Sequence, residues 1–331
     1  ARRGVGVWLA ALEWVQLCVA GVGGDPSRVT IAGQSAGGGA VQTLLGMEAA
    51  QHLFHGVYSV SGALADVTPA RAEAFGRKLA AGLGVAPTVA GFGSLTEAQV
   101  LEAQQESTKM TADGFQDMIK DGLGLGPTID GELILRATTE SFAQGVGADK
   151  PLVMGATDDE FSMAFSEQAS KLRWIPKRLL LGKLGLKKDV MKPYLAANQD
   201  AASKGTARIA GRFLTDLMFR KALVETVALR EGAPTWIYCF SWPSGVFGFA
   251  EHCIDVPFFF DCLDSPVGIE ALAGPNSPQA LADEVHGGAV AFIKAGDPGW
   301  PRYVEPSRQT RVFDTPSSVV SDGYASVRPL L

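Results

Sequence analysis

The stretch Val29-Thr-Ile-Ala-Gly-Gln-Ser-Ala-Gly-Gly-Gly39 decides the fold. Its first four residues form a β-prone run, and the run from Val41 to Met47 behind the stretch has a helical pattern. Between them, Gly33-Gln-Ser-Ala-Gly37 has the G-x-S-x-G form, in which a strand turns sharply into a helix and presents a serine oxygen. We call this turn the elbow. The motif alone is weak, but this setting favours a nucleophilic Ser35 over an incidental serine in a glycine-rich turn.

Further buried strands are predicted at intervals along the chain, with helical patterns between them. The strands are Val57–Val60, Leu152–Ala156, Trp236–Phe240 and Arg311–Asp314. The helical patterns cover about 68–84, 96–107, 207–231 and 279–295. Strands that alternate with helices indicate an α/β fold with a mostly parallel sheet covered on both faces.

The composition narrows the class of protein. The chain has 331 residues, of which 47% are hydrophobic and 19% charged, as in a globular protein. The formal charge of −6 argues against nucleic acid as the main partner. Four cysteines are too few for a disulfide scaffold and lack metal-ligand spacing, so no metal and no cofactor are expected. A bridge between Cys253 and Cys262 remains open, but buried free thiols are favoured.

The first twenty residues allow two interpretations. Arg2 and Arg3 ahead of an apolar run are typical of a signal peptide. Glu13 and Gln16 interrupt that run, however, and apolar residues recur at steps of three and four, which favours an amphipathic helix. The apolar positions are 5, 8, 9, 12, 15 and 19. We expect no stretch long and apolar enough to span a bilayer, and therefore no stable membrane insertion.

The segment 171–192 differs in charge from the rest of the chain. Its basic residues are Lys171, Arg173, Lys177, Arg178, Lys183, Lys187, Lys188 and Lys192, and its one acid is Asp189. Interleaved leucines fit a helical excursion whose charges face solvent, and they also fit an amphipathic surface for anionic lipid. We favour the solvated excursion because the whole chain is acidic.

A serine nucleophile needs a histidine base, and the base needs a carboxylate that orients it. His52 and His55 follow the helix behind the serine, and His286 lies in a helical pattern, so surface positions are expected for all three. His252 lies in a loop after a strand, where open α/β sheets place functional residues. The candidate carboxylates, at the end of another strand, are Asp158, Asp159 and Glu160.

Several segments in a fixed order carry a resemblance to one family. They are Ala11–Val15, Gly23–Ile31, Gly33–Gly38, Leu53–Gly62, Pro127–Gly131, Gly155–Phe161, His252–Phe258 and Gly296–Pro301. Together they resemble the type B carboxylesterases, the cholinesterase-like branch of the α/β hydrolases, over nearly the whole chain. The resemblance implies a single, N-terminally incomplete α/β-hydrolase domain over 1–331, with a helical excursion at about 162–232.

The resemblance also implies a mechanism. Ser35, Glu160 and His252 would form the catalytic triad, in the chain order of the α/β hydrolases. Small or medium acyl esters would be hydrolysed in two steps through an acyl-enzyme. The N–H of Ala36 would be one donor of the oxyanion hole.

Other positions are matched to the family less closely. Gly37 and Gly38 would allow close packing around the serine. Ser61 is a candidate hydrogen-bonding partner behind the triad, with core filling as the alternative, and Asp255 is expected to be a structural ion-pair or loop residue. Gln34 stands where cholinesterase relatives often carry glutamate, so a preference for cationic choline esters is not expected.

The family's His-Gly-Gly-Gly-type loop, which supplies further oxyanion donors, does not occur in the 34 residues before Ser35. We therefore expect Ala1 to mark a truncation and the strands ahead of the serine strand to be missing. Two functions stay open: a serine carboxylesterase with a small-molecule ester as partner, and a catalytically incompetent hydrolase-fold fragment or binding module. An esterase of the hormone-sensitive-lipase type is disfavoured because it would place the serine in mid-chain.

Overall fold

The computed structural model describes residues 2–108, 125–166, 168–265 and 268–331. Two compact units make up the chain: Ala1–Ala11 with Ala65–Ala137, and Leu12–Leu64 with Thr138–Leu331. The expectation of one domain over 1–331 therefore stays a prediction. Ala1, expected to mark a truncation, lies outside the described residues.

The second unit is built on a six-stranded sheet in which the strands follow one another in chain order. The strands are β1 (Thr30–Gln34), β2 (Gly56–Val60), β3 (Leu152–Thr157), β4 (Thr235–Phe240), β5 (Gln309–Phe313) and β6 (Ser318–Ser321). Strands β1 to β5 are parallel, and β6 pairs with β5 in the antiparallel sense. The five parallel strands confirm the sequence prediction. Strand β6 was not predicted because it is a short, largely exposed edge without an apolar run.

Helices occupy most of the remaining described chain. They are α1 (Arg2–Cys18), α2 (Ala36–Leu45), α3 (Pro69–Leu83), α4 (Val89–Gly93), α5 (Glu97–Ser107), α6 (Thr138–Ala143), α7 (Ala169–Leu172), α8 (Lys177–Lys183), α9 (Lys188–Ala197), α10 (Gln199–Ser203), α11 (Thr206–Thr215), α12 (Lys221–Leu229), α13 (Val256–Phe259), α14 (Ile269–Ala273) and α15 (Gln279–Ala295). Between α11 and α12 the chain forms one π turn, Asp216–Arg220. The single helix predicted at 207–231 is therefore interrupted, at a place where a buried Asp216–Arg220 ion pair of 3.0 Å is formed.

Large apolar side chains fill one layer between the sheet and the helices on it. Trp236, Tyr58 and Phe240 project from the strands, and Phe258 and Phe292 come from α13 and α15. Burial of this apolar surface supplies the main stabilisation of the second unit. It also holds the strand ends, and the loops that follow them, in fixed positions.

Helix α1 confirms that the first residues are helical. The predicted apolar positions are its more protected side: Val5 is buried, and none of the others is fully exposed. Among the described residues, Gly4–Val22 is nevertheless long and apolar enough to cross a membrane, and little of it is buried. The expectation that no stretch meets these two criteria is wrong, because Glu13 is the one charged residue in it. Core helices and signal sequences meet the same criteria, so insertion does not follow.

Candidate active site

Ser35 occupies the turn between β1 and α2 in an uncommon backbone conformation. Its φ of 56° and ψ of −117° place a non-glycine residue on the left-handed side of the map. Three backbone hydrogen bonds hold it there: its N–H donates to Val60 O (2.9 Å), and its carbonyl accepts from Gly39 N (3.0 Å) and Ala63 N (3.0 Å). Such strain persists only where the surroundings enforce it, and the result is a serine hydroxyl that projects from a strand end.

The glycines around Ser35 differ in how closely they are packed. A Cβ on Gly33 would lie 2.2 Å from the carbonyl oxygen of Gly37, and one on Gly38 would lie 2.6 Å from Gly62 Cα. A Cβ on Gly37 would meet nothing within 4 Å. Close packing was expected at both Gly37 and Gly38. Of these two positions, only Gly38 is packed so closely that a side chain would not fit, since a Cβ on Gly37 would point into free space. Gly33 is a second position that the packing restricts.

The structure brings Ser35, Glu160 and His252 together at the carboxyl edge of the sheet. Nε2 of His252 lies 2.8 Å from Oγ of Ser35, and Nδ1 is hydrogen-bonded to Oε2 of Glu160. The other carboxylate oxygen, Oε1, accepts from the N–H of Thr157 at 2.8 Å. Glu160 is fully buried, whereas 19% of the His252 side chain remains exposed. A buried acid, a reachable base and a serine hydroxyl are thus aligned for proton transfer.

Two phenylalanines, which the sequence did not mark as functional, flank the imidazole. Phe161 stacks on His252 with 6.1 Å between ring centroids and an interplanar angle of 11°. Phe219, from the π turn, lies at 5.3 Å. This packing restricts the ring to a plane in which both nitrogens meet their partners. Phe161 directly follows Glu160 in the chain and could have been found from that, but nothing local marks Phe219.

A neutral side chain lies beside the base. Nε2 of Gln34 is 3.3 Å from Nε2 of His252 and 3.2 Å from Sγ of Cys253. Cys253, the residue after His252, has a φ of 70°, and its thiol faces Gln34 at the elbow. The amide of Gln34 is uncharged, so it places no carboxylate beside His252 at the position where cholinesterase relatives often carry glutamate.

The surroundings of His252 raise its pKa above the ordinary value of 6.5. Burial lowers the pKa, but hydrogen bonds with Cys253 and Glu160, together with the negative charge of Glu160, outweigh that effect. The carboxylate therefore stabilises the imidazolium that forms when the histidine accepts a proton. By contrast, only the neutral imidazole ring can accept a proton.

We expect kcat/KM to rise with pH along a limb centred above pH 6.5. Only neutral His252 can take the serine proton, and a raised pKa delays its appearance to higher pH. Glu160→Gln removes the stabilising charge, so the limb of this less active variant should move to lower pH. The measurement is the pH profile of p-nitrophenyl acetate hydrolysis, corrected for spontaneous reaction. A wild-type limb at or below 6.5, or a limb that Glu160→Gln leaves in place, would contradict this.

The two other candidate carboxylates have structural partners instead. Oδ2 of Asp159 accepts from Arg208 at 2.6 Å and from Arg212 at 3.3 Å, all three groups being largely buried. Asp158 lies 3.9 Å from a guanidinium nitrogen of Arg220. These ion pairs anchor α11 and the π turn to the loop that carries Glu160. Of three neighbouring acids, only the third faces the histidine.

Asp255 and Ser61 each had two expected roles, and the structure fits one role of each residue. Asp255 is buried and accepts a hydrogen bond from the hydroxyl of Tyr238 (3.1 Å), and no salt bridge of Asp255 occurs within the described chain. Burial and the nearby charge of Glu160 raise its pKa to about 7. Asp255 therefore matches the loop alternative, since it lies in the turn before α13 and its partner is a tyrosine, not a cation. The Ser61 hydroxyl is buried without a hydrogen-bond partner among the described residues, which fits the core-filling alternative.

A buried polar link behind the elbow was not predicted. Nε2 of Gln42, on α2, donates to Oγ of Ser59, on β2, at 2.8 Å. The Ser59 hydroxyl in turn donates to the carbonyl of Gly38 at 3.1 Å. This link joins β2 to α2, the helix that begins directly after Ser35. Ser59 lies two residues before Ser61, the serine that the sequence suggested as a hydrogen-bonding partner.

The remaining histidines and cysteines lie outside this arrangement. His52 and His55 are exposed as expected, but His286 is half-buried and its Nδ1 lies 2.9 Å from the carbonyl oxygen of Phe259. All four cysteines are free, as favoured over a bridge between Cys253 and Cys262. Only Cys239 is buried, so the expectation of buried thiols is correct for one of the four. Within the described ranges, no group of three His, Cys, Asp or Glu side chains could hold a metal ion.

A mostly parallel sheet, a serine at a strand–helix turn and a following acid and histidine at strand ends define an α/β hydrolase. The model of the carboxylesterase family matches residues 7–319. The chain belongs to the carboxylesterase family.

Known relatives agree with this assignment. The para-nitrobenzyl esterase of Bacillus subtilis (strain 168) is 28% identical over 337 residues, which cover 97% of this chain and 65% of that protein. Liver carboxylesterase 1 of Oryctolagus cuniculus is 28% identical over 254 residues, covering 70% of this chain and 45% of its own length. The crystal structure of the carboxylesterase EST55 of Geobacillus stearothermophilus superposes with a TM-score of 0.80 at 26% identity, over 97% of this chain and 67% of that one. The chain thus spans about two thirds or less of these relatives.

Proposed function

We propose that the protein hydrolyses carboxylic esters of small or medium acyl groups through a serine-bound acyl intermediate. The observation that carries the proposal is the position of His252, whose two ring nitrogens contact Ser35 and Glu160. A serine hydroxyl becomes nucleophilic when a base of this kind can take its proton. Membership of the carboxylesterase family supports the ester as substrate class.

In the first step, Oγ of Ser35 attacks the ester carbonyl carbon while Nε2 of His252 takes the hydroxyl proton. Glu160 stabilises the resulting imidazolium and keeps Nδ1 protonated, and the Thr157 N–H holds the carboxylate in place. The tetrahedral intermediate then collapses, the bond to the alcohol oxygen breaks, and His252 gives its proton to the leaving alkoxide. The acyl group remains on Ser35.

In the second step, water replaces the alcohol. His252 takes a proton from the water as its oxygen attacks the acyl carbon, and then returns a proton to Oγ of Ser35. The carboxylic acid leaves and the free serine is restored. During both steps a negative charge develops on the carbonyl oxygen. Ala36 is the first residue of α2, so its N–H has no acceptor within the helix and can donate to that oxygen.

The test is a pre-steady-state assay with p-nitrophenyl acetate and p-nitrophenyl butyrate. We expect a burst of p-nitrophenol that approaches the enzyme concentration when deacylation is much slower than acylation, because acylation releases the alcohol before water removes the acyl group. Mass spectrometry of the quenched enzyme should place one acyl group on the peptide that contains Ser35.

The second candidate function, an incompetent fragment or binding module, predicts the opposite. It is favoured by one observation: among the described residues, the oxyanion donor that we assign is the single N–H of Ala36. Loss of one such donor costs about 100- to 1000-fold in rate. No acyl adduct on Ser35, together with a rate equal to that of Ser35→Ala, would establish this alternative.

A further inference from the structure

A positively charged surface lies on the helices between Glu160 and His252. The segment 171–192 has eight basic residues against one acid, in a chain whose net charge is −6, so the rest of the chain is strongly acidic. Seven of the eight basic residues are exposed and Lys177 is half-buried. Salt bridges in the described chain use other cations, such as Arg208 and Lys221, and none involves these eight. We call the eight residues and Trp174 the basic face.

An aromatic side chain projects from the middle of this basic face. Trp174 is 78% exposed, and the guanidinium carbon of Arg173 lies 4.8 Å from the centre of its ring. Leu179, one turn into α8, is 53% exposed. Trp174 shares a groove with the cations Arg173, Lys177 and Arg178, so an aromatic ring and positive charges lie next to one another on this surface.

The helices that carry the basic face are packed onto the rest of the second unit through buried leucines. Leu172, Leu181 and Leu186 are buried beneath it, so its helices present their apolar sides to the protein and their charges outward. The hydroxyl of Thr206, at the start of α11, donates to the carbonyl of Ile175 at 2.8 Å and fixes the turn next to Trp174.

A groove of about 440 Å³ opens within the basic face. Its walls include Arg173, Arg178 and the Trp174 ring, with Leu195 of α9 on the apolar side. Cationic and apolar groups thus lie side by side, and the groove can take an anionic headgroup together with the first carbons of an acyl chain.

We propose that the basic face docks the protein on membranes that contain anionic phospholipid. The unpaired cations are complementary to the negative surface of such a bilayer, and each one near that surface contributes to binding. Trp174 suits the boundary between headgroups and acyl chains, where amphipathic aromatic rings are favoured. The acidic remainder of the chain would be repelled, so docking has one orientation. The proposal does not depend on catalysis.

The test measures binding of the full chain to vesicles, with Ser35→Ala as background so that no lipid ester is cleaved. Phosphatidylcholine vesicles are compared with vesicles that contain 30% phosphatidylglycerol in about 0.1 M salt. We expect at least tenfold stronger partition to the anionic vesicles, with most of the gain lost in 0.5 M salt. Equal partition to both vesicles would overturn the proposal.

Two variants with the same charge change locate the interaction. Arg178→Glu with Lys183→Glu reverses two exposed charges of the basic face, and partition should fall at least tenfold. Lys78→Glu with Lys294→Glu reverses two exposed charges elsewhere and should change partition less than twofold. Trp174→Ala should weaken binding severalfold and leave its salt dependence intact. Equal losses in the two double variants, or retention on heparin without vesicle binding, would overturn the proposal.

Discussion

Replacing Ser35 with alanine is expected to lower kcat/KM for p-nitrophenyl butyrate by about 10⁴-fold or more. In the proposed mechanism the hydroxyl 2.8 Å from Nε2 of His252 forms the acyl bond, and no other described hydroxyl contacts that nitrogen. Residual hydrolysis would proceed by attack of water, without the covalent intermediate. Because Ser35 is a half-exposed residue at a turn, its side chain contributes little to the core.

Ser203→Ala is the matched control for this prediction. Its hydroxyl donates only to the carbonyl of Asp200 on α10, far along the chain from the triad, and kcat/KM should stay within twofold of the wild type. Circular dichroism should be the same for both variants. If Ser35→Ala retained more than a tenth of the wild-type rate, the proposed nucleophile would be wrong.

Replacing Asp159 with asparagine is expected to lower the free energy of unfolding by about 3–5 kcal/mol. The carboxylate is 1% exposed and is the shared partner of Arg208 and Arg212, and it also accepts from the Ser162 hydroxyl at 2.9 Å. Asparagine keeps the volume but removes the charge, so Arg208 would lose its salt-bridge partner and Arg212 would keep only Asp200, at 3.4 Å, among its described salt-bridge partners. Urea denaturation followed by fluorescence measures the loss.

A surface pair supplies the comparison for Asp159. Lys221 and Glu225 are 3.3 Å apart on α12 with both side chains partly exposed, and Glu225→Gln should cost less than about 1 kcal/mol. Asp159 also directly precedes Glu160, so Asp159→Asn should reduce kcat more than it raises KM for p-nitrophenyl butyrate. A stability loss equal to that of Glu225→Gln would show that the buried network does not anchor this loop.

Much of the fold could be predicted from local patterns. The five parallel strands were found because buried strands in such a sheet are short apolar runs. Strand β6 lacks such a run, and the π turn at 216–220 lies inside a continuous helical pattern, so neither left a signal in the sequence. The division into two compact units was not predicted, because the composition shows no low-complexity linker that would mark a boundary.

The candidate site was predicted unevenly. Ser35 is marked by its motif, because the elbow needs small residues at fixed spacing around one serine. For Asp255 and Ser61 the sequence left two alternatives open, since a partner across the sheet is not encoded in the neighbouring residues. Phe219 and the Gln42–Ser59 link depend on contacts between distant segments and could not be predicted from spacing.

The strand–serine–helix turn, and the order in which an acid and a histidine follow it, could be predicted from local sequence. These are local properties, because backbone sterics and hydrophobic periodicity act over a few residues. Residue spacing left three consecutive acids, 158 to 160, open, and the family resemblance pointed to Glu160; the structure shows that Glu160 contacts His252 whereas Asp158 and Asp159 lie beside arginines. That choice depends on how β3, β4 and the helices after Glu160 pack, since a buried carboxylate is stable only where packing supplies a donor or a cation.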